Sequence, residues 1–328
     1  MDLEMSPYHG LGKLEQLHQR LRQCNCPARN YGLVLFVADH EISRYRFSNY
    51  QPLASNKIIE NHLLGMAPTV RMLKRLGRRE YILDVGLARP ISDEAAGKLE
   101  KVEFAGKYAG FSSETAELVS YGLNGCSRDF LDQDALTVDE VERAMTAGKD
   151  YWHILSEKNF DIMGIGEVGI GNTLCSAALA IAATGLAPEK LVGRGSSTSH
   201  LIERKIEFIG RALKKRTPEP DNIFDIMTRF GGLEIAAMVG FISAAADNRH
   251  PIMLDGYVTA VAGYLAAMTN SRVPDYLIAP SLADQIGHAL ILKELGLEAM
   301  FDLDINYGEG LAAVLGLFLA ESTEIFYN

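Results

Sequence analysis

Short runs of consecutive apolar residues alternate along this chain with longer stretches in which apolar side chains recur every three or four positions. Six runs have strand length and are rich in β-branched residues: residues 33–37, 81–85, 161–165, 251–254, 276–279 and 299–303. Most are separated by helical stretches, a pattern that predicts a parallel α/β sheet with both faces covered. Residues 1–30 carry Leu14, Leu17 and Leu21 at helical spacing and break near Pro27. Alanine-rich 176–183 and apolar 311–320 read as further helices. Thr137-Val138-Asp139-Glu140 has the form of a capping box, which opens a helix to about Ala147. The rest of 88–150 reads as an insertion or lid with partial helicity.

The ends of the six runs carry the next inference. Each passes into a polar residue: Asp39-His40, Asp84, Glu167, Asp255, Ser281 and Asp304. Singly, each is a helix cap or turn residue. Together they predict a cleft, because ligands bind beyond the carboxyl ends of the strands in an open parallel sheet.

Composition narrows the partners. The chain has 328 residues and 48% hydrophobic side chains, enough for one large core with or without a smaller satellite. Its 32 basic and 42 acidic residues give a formal charge of −10, a poor match to nucleic acid. Cys24, Cys26, Cys126 and Cys175 lack C-x-x-C spacing, and the eight histidines lack H-E-x-x-H, so neither a disulfide framework nor a metal is expected. The N-terminus is charged from Asp2 onward, and no apolar stretch reaches the roughly 18 residues of a membrane span. The expected setting is the cytoplasm.

The densest chemical signal is Gly164-Ile165-Gly166-Glu167-Val168-Gly169-Ile170-Gly171-Asn172-Thr173. It contains G-x-G-x-x-G, so a nicotinamide-dependent oxidoreductase is one reading. Glu167, however, stands where a pyrophosphate would be repelled, and the helix opens only after Gly171-Asn172-Thr173. A monophosphate at that second turn fits better. A second loop, Gly193-Arg194-Gly195-Ser196-Ser197, precedes a helix bearing Arg204 and Lys205 and suits a phosphate or carboxylate, or is a flexible turn before a basic helix. Gly308-Glu309-Gly310, at the entrance to the last apolar helix, is either a solvated turn or a general base with a raised pKa. Glu167 and Glu309 would then face one cleft.

In order, these segments resemble the nicotinate-nucleotide:dimethylbenzimidazole phosphoribosyltransferase family of the cobamide pathway. The resemblance rests on Leu11-Gly12-Lys13-Leu14-Glu15, Val37-Ala38-Asp39-His40, Asp84-Val85-Gly86, Arg128-Asp129-Phe130 and the block from Gly166 to Thr173. It continues through Gly193-Arg194-Gly195, Gly232-Leu233-Glu234-Ile235-Ala236-Ala237, Leu254-Asp255-Gly256, Gly287-His288 and Gly308-Glu309-Gly310, nearly the whole chain. The fold it implies is a Rossmann-like six-stranded parallel sheet with helices on both faces. A large domain over 31–310 would be joined by a small helical domain from 1–30 and part of 311–328. The reaction it implies moves 5-phosphoribose from nicotinate mononucleotide to a lower-ligand base, releasing nicotinate with inversion at the anomeric carbon. No metal or cofactor is implied, since the cationic nicotinate is already a good leaving group.

By resemblance, Glu309 takes the proton of the incoming base and Glu167 is a second acid in the cleft. Gly169, Gly171, Asn172 and Thr173 hold the phosphate, with Gly195, Ser196, Lys205, Gly308 and Gly310 beside the nucleotide. Asp39, Asp84 and Asp255 are further cleft residues. Ser48 and Tyr50 match the family's base pocket. Three departures stand out: Lys57, a third base-pocket residue, where relatives carry glutamine, Leu311-Ala312 in place of a hydroxyl residue and glycine, and an inserted look to 111–124. Heterodimeric relatives that attach phenolic bases diverge similarly. The expected partner is therefore a second copy or a paralogue, with the chain alone either active or a non-catalytic subunit.

Overall fold

The computed structural model describes residues 10–104, 108–123 and 125–327. The chain begins with α1 (Lys13–Gln23) and β1 (Tyr31–Ala38), followed by α2 (Ser55–Leu63), α3 (Pro68–Arg75) and β2 (Glu80–Gly86). Next come the short α4 (Asp93–Ala96), the strands β3 (Glu100–Phe104), β4 (Tyr108–Ser112) and β5 (Ala116–Ser120), and the long α5 (Val138–Ser156). After β6 (Ile162–Val168) follow α6 (Asn172–Thr184), α7 (Pro188–Leu191), α8 (Ile202–Lys215), α9 (Ile223–Phe230) and α10 (Leu233–Asp247). The chain finishes with β7 (Ile252–Met253), α11 (Tyr257–Thr269), β8 (Leu277–Ile278), α12 (Ile286–Glu294) and α13 (Leu311–Tyr327).

The sheet has eight strands in the order β3-β4-β5-β2-β1-β6-β7-β8. The six strands from β5 to β8 are parallel, and β3 and β4 add an antiparallel edge. The expectation of six strands is corrected in two places. Residues 299–303 form no strand: Phe301 makes a single bridge to Ser281, beyond a β8 only two residues long, and Leu303 is exposed. Residues 88–150, expected as an insertion or lid with partial helicity, carry the β3–β5 edge and α5. Helix α5 starts at the expected capping box, with Thr137 Oγ1 accepting from Glu140 N at 3.2 Å, and runs nine residues past Ala147. Its continuation buries Tyr151, Trp152 and Leu155 at helical spacing.

Every residue of β1 is buried, as a central parallel strand requires, and its alternating side chains feed two cores. Val34, Phe36 and Ala38 join residues of α5, α6, α9, α10 and α11. Leu33, Leu35 and Val37 join α1, α2, α3 and α13. Helices therefore cover both faces. The terminal helices α1 and α13 pack together in the second of these layers. Among the described residues no helix is long and apolar enough to cross a membrane.

Candidate active site

The carboxyl ends of β6, β7 and β8 open into a cleft of about 1130 Å3 that includes open solvent. It is lined by Glu167 near the end of β6 and Gly169, Gly171, Asn172 and Thr173 after it, by Asp255 after β7, and by Ser281 after β8. Residues from elsewhere in the chain complete the lining: Ser48 and Tyr50, Gly195, Ser196 and Lys205, then Tyr307, Gly308 and Glu309. Glu167 and Glu309, 142 positions apart in sequence, thus share one concavity. None of the described residues between 88 and 150 lines it.

The cradle after β6 begins later than the G-x-G-x-x-G pattern suggests. Gly164 and Gly166 lie inside β6 rather than in a turn. A Cβ on Gly166 would stand 2.6 Å from the backbone of Gly310, and one on Gly164 2.9 Å from Leu317. These two glycines let α13 and its leading loop settle onto the sheet, so the dinucleotide reading loses its phosphate turn. The turn proper is Gly169-Ile170-Gly171. Gly171 adopts φ +111° as the residue before α6; Asn172 N and Leu174 N bond back to Gly169 O and Gly171 O, and Asn172 and Thr173 at the helix start line the cleft.

Asp39 and Asp84 lie beneath the cleft rather than in its wall. Asp39 accepts from Ser55 Oγ (2.7 Å) and Ala88 N (3.0 Å), and Ser55 Oγ accepts from Ile170 N at 3.3 Å, so Asp39 braces the cradle from behind. Asp84 accepts from Gly86 N, Leu87 N and Ser120 Oγ. Its pKa is raised by burial, against the pull of those donors. Both are therefore loop braces, the role a strand-end carboxylate has when taken singly. Asp304 is exposed. Lys57 is corrected as well: it is exposed on α2, and its neighbour Ile58 lines the cleft in its stead.

The second glycine loop lies against the first. A Cβ on Gly195 would stand 2.8 Å from Thr173 Oγ1 and 3.5 Å from Lys205 Nζ. Lys205 is buried and donates to Arg194 O (2.5 Å) and Ser197 Oγ (2.9 Å); burial lowers its pKa to about 8. Ser196 Oγ meets Ser48 Oγ at 2.8 Å, joining the loop to the segment with Tyr50. Gln285 and Asn306, which the sequence did not single out, fix the loop from its other side. Gln285 Oε1 accepts from Gly195 N at 3.1 Å, and Asn306 Nδ2 donates to Gly195 O at 3.2 Å.

Three acids surround the far wall. Asp255 accepts from Gly310 N (3.1 Å), Ala312 N (2.8 Å) and Ala313 N (3.3 Å), the first turn of α13. Its burial raises the pKa to about 6 in spite of those three donors. Glu167 is raised to about 8, first by burial and then by Asp255, while the Asn172 side chain that donates to it pulls the other way. Glu309 takes φ +55° between Gly308 and Gly310, both also at positive φ. A non-glycine residue held there carries about 1–3 kcal/mol of strain, a cost that recurs at functional sites.

Glu309 Oε2 receives two side-chain hydrogen bonds, from His62 Nε2 at 2.9 Å and Tyr307 Oη at 2.5 Å. His62 Nδ1 in turn lies 3.0 and 2.9 Å from the two oxygens of Glu80. Burial alone would lower the His62 pKa, but Glu80 and Glu309 outweigh it and carry it to about 10. That shift favours the protonated ring, placed between Glu80 and Glu309. The sequence did hold a signal for it: His62 sits in the buried stripe of α2 with Ile59 and Leu63, where an apolar residue is expected.

The cleft thus lies beyond the strand ends of a doubly covered, mostly parallel sheet, beside the start of α6 and a glycine-flanked acid, the place where such sheets bind ligands. The family model DBI_PRT, described as phosphoribosyltransferase, matches residues 1–328. The nicotinate-nucleotide–dimethylbenzimidazole phosphoribosyltransferase of Chloroflexus aggregans is 28% identical over 326 residues, covering 98% of this chain and 86% of that protein. The Geobacter sulfurreducens protein of the same name is 26% identical, with 98% and 87% covered. The crystal structure of CobT from Thermus thermophilus superposes with a TM-score of 0.83 at 27% identity, over 98% of this chain and 91% of that one. The chain belongs to the nicotinate-nucleotide:dimethylbenzimidazole phosphoribosyltransferase family, a family of pentosyltransferases.

Proposed function

We propose that this protein transfers the 5-phosphoribosyl group of nicotinate mononucleotide to a cobamide lower-ligand base, with Glu309 as general base. The phosphate is taken by the start of α6, at Gly169, Gly171, Asn172 and Thr173, with Lys205, Gly195 and Ser196 beside it. The acceptor ring lies between Ser48, Tyr50 and Glu309. As the acceptor's lone pair forms its bond to the ribosyl C1, the C1–N bond breaks and its electron pair returns to the nicotinate ring. The acceptor's N–H or O–H proton passes to Glu309. The leaving group gives up a positive charge as it departs, so the step asks the protein for alignment and one proton acceptor.

The observation that carries this reading is the single cleft in which Glu309, Glu167 and the α6 cradle meet. Ile42, Phe47, Ile58 and Ile305 add an apolar wall suited to a flat aromatic acceptor. The test is nicotinate release by the purified chain alone, from nicotinate mononucleotide with benzimidazole, adenine or phenol. Release with one of them and formation of the matching ribotide support the reading. Release only after a paralogue is added would make the chain half of a heterodimer, and no release under either condition would refute the reading.

A further inference from the structure

We propose that Glu80 and His62 form a buried positioning pair for Glu309, holding its Oε2 so that Oε1 is the one atom left to accept the substrate proton. This rests on Glu309 being the base.

The geometry is a continuous line from the start of β2 to the cleft. Both Glu80 oxygens face His62 Nδ1, and His62 Nε2 faces Glu309 Oε2; the side chains of Glu80 and His62 are fully buried, and that of Glu309 is 10% exposed. With both ring nitrogens facing carboxylate oxygens, a ring that donates at both ends is the arrangement that satisfies every atom in the line. Tyr307 Oη occupies the same Oε2. A carboxylate oxygen already receiving an imidazolium and a phenol is a poor site for a third proton, so the basic lone pairs are those of Oε1.

Stability does not call for such a line. A buried ion pair replaced by apolar residues of similar volume commonly leaves a protein as stable or more so. Its presence behind the proposed base is better explained by what it does there. Glu309 stands at a strained φ on a loop between two glycines, and a side chain on such a backbone needs an external hold to keep one rotamer. The imidazole also stands among acids and phenols that surround Glu309. Asp255 after β7, Glu167 on β6 and Glu80 on β2 are acidic, and Tyr50 and Tyr307 are neutral phenols. A positive charge on His62 favours the charged form of a carboxyl placed beside it.

The test compares His62→Phe, His62→Gln and Glu80→Gln with the parent, reading kcat, KM for the nucleotide and the pH profile of kcat. In His62→Phe, kcat should fall at least about tenfold with KM within about threefold, and the acid limb should move up by about one pH unit or more as Glu309 loses its cationic neighbour. His62→Gln should recover part of kcat through its N–H while the acid limb stays displaced. Glu80→Gln keeps the ring in place and serves where the phenylalanine variant does not fold. It should bring the loss of activity at alkaline pH down toward neutrality, because His62 then surrenders its proton earlier. An unchanged pH profile in Glu80→Gln, or in a folded His62→Phe, overturns the proposal. Glu309→Gln separates the two readings. Full turnover in that variant removes the base itself, whereas loss of turnover there with parental behaviour in the other variants removes only the pair.

Discussion

Asp255 Oδ1 stands 2.8 Å from the backbone nitrogen of Ala312, so the acid at the end of β7 is the cap of the helix that carries the Glu309 loop. Gly310 N and Ala313 N complete the set. Strand β7 thereby fixes where α13 begins, and with it the position of the proposed base. Asp255→Ala leaves three buried N–H groups without an acceptor and should cost about 1–3 kcal/mol in urea unfolding. Asp255→Asn keeps one acceptor oxygen and should cost less. Turnover should follow the same order, with nucleotide affinity changing least. Equal stability of all three proteins would contradict the capping role.

Two cleft groups titrate near pH 8, and both changes disfavour an anion. Glu167, raised to about 8 by burial, gains its charge there; Lys205, lowered to about 8 by burial, loses its own. KM for the nucleotide should therefore climb as pH rises through 8. Glu167→Gln and Lys205→Met should each flatten the climb, and the double variant should abolish it. The same sign governs folding for Glu167. Its contribution is fully present below the ordinary 4.5 and is lost as pH rises toward about 8.

At neutral pH Lys205 should be worth a charge-assisted hydrogen bond to the phosphate, about 1.5–3 kcal/mol. Titration calorimetry with nicotinate mononucleotide should then show Kd rising roughly 10- to 100-fold in Lys205→Met. An unchanged Kd would move the phosphate elsewhere.

Gly166 distinguishes packing from ligand contact. Its Cβ would meet the backbone of Gly310 at 2.6 Å, whereas that of Gly164 would meet the end of the flexible Leu317 side chain. Gly166→Ala should displace the Glu309 loop, cost about 1–3 kcal/mol and lower kcat, while Gly164→Ala should be milder in both. Thermal unfolding and turnover of the two variants, measured side by side, check this. A milder Gly166 variant would contradict it.

The parallel strands at the centre were legible because each is buried along most of its length and mostly apolar; β1, buried at every residue, is the plainest case. The β3–β5 edge was not, since strands such as Glu100–Phe104 are short, charged and paired on the rim. The 299–303 run misled for the opposite reason: it has strand composition but only a two-residue neighbour to pair with. Within the site, the rule of polar strand ends pointed to Glu167, Asp255 and Ser281, which line the cleft, and equally to Asp39 and Asp84, which accept hydrogen bonds from neighbouring loops and α2 instead. It could not find Glu80, which sits at the start of β2, nor His62, which comes from a helix. The Glu309 loop lies over the middle of the sheet, its Gly310 against Leu33, and Leu33 is paired with Glu80. That contact is set by how α13 seats on β6, a tertiary fact with no local sequence pattern.

The most direct measurement of the central claim is the rate of nicotinate release by Glu309→Gln, taken with its affinity for nicotinate mononucleotide. If Glu309 is the base, turnover falls by roughly 10²- to 10⁴-fold with Kd nearly that of the parent. Turnover at the parental rate, in a variant that binds the nucleotide normally, would contradict it.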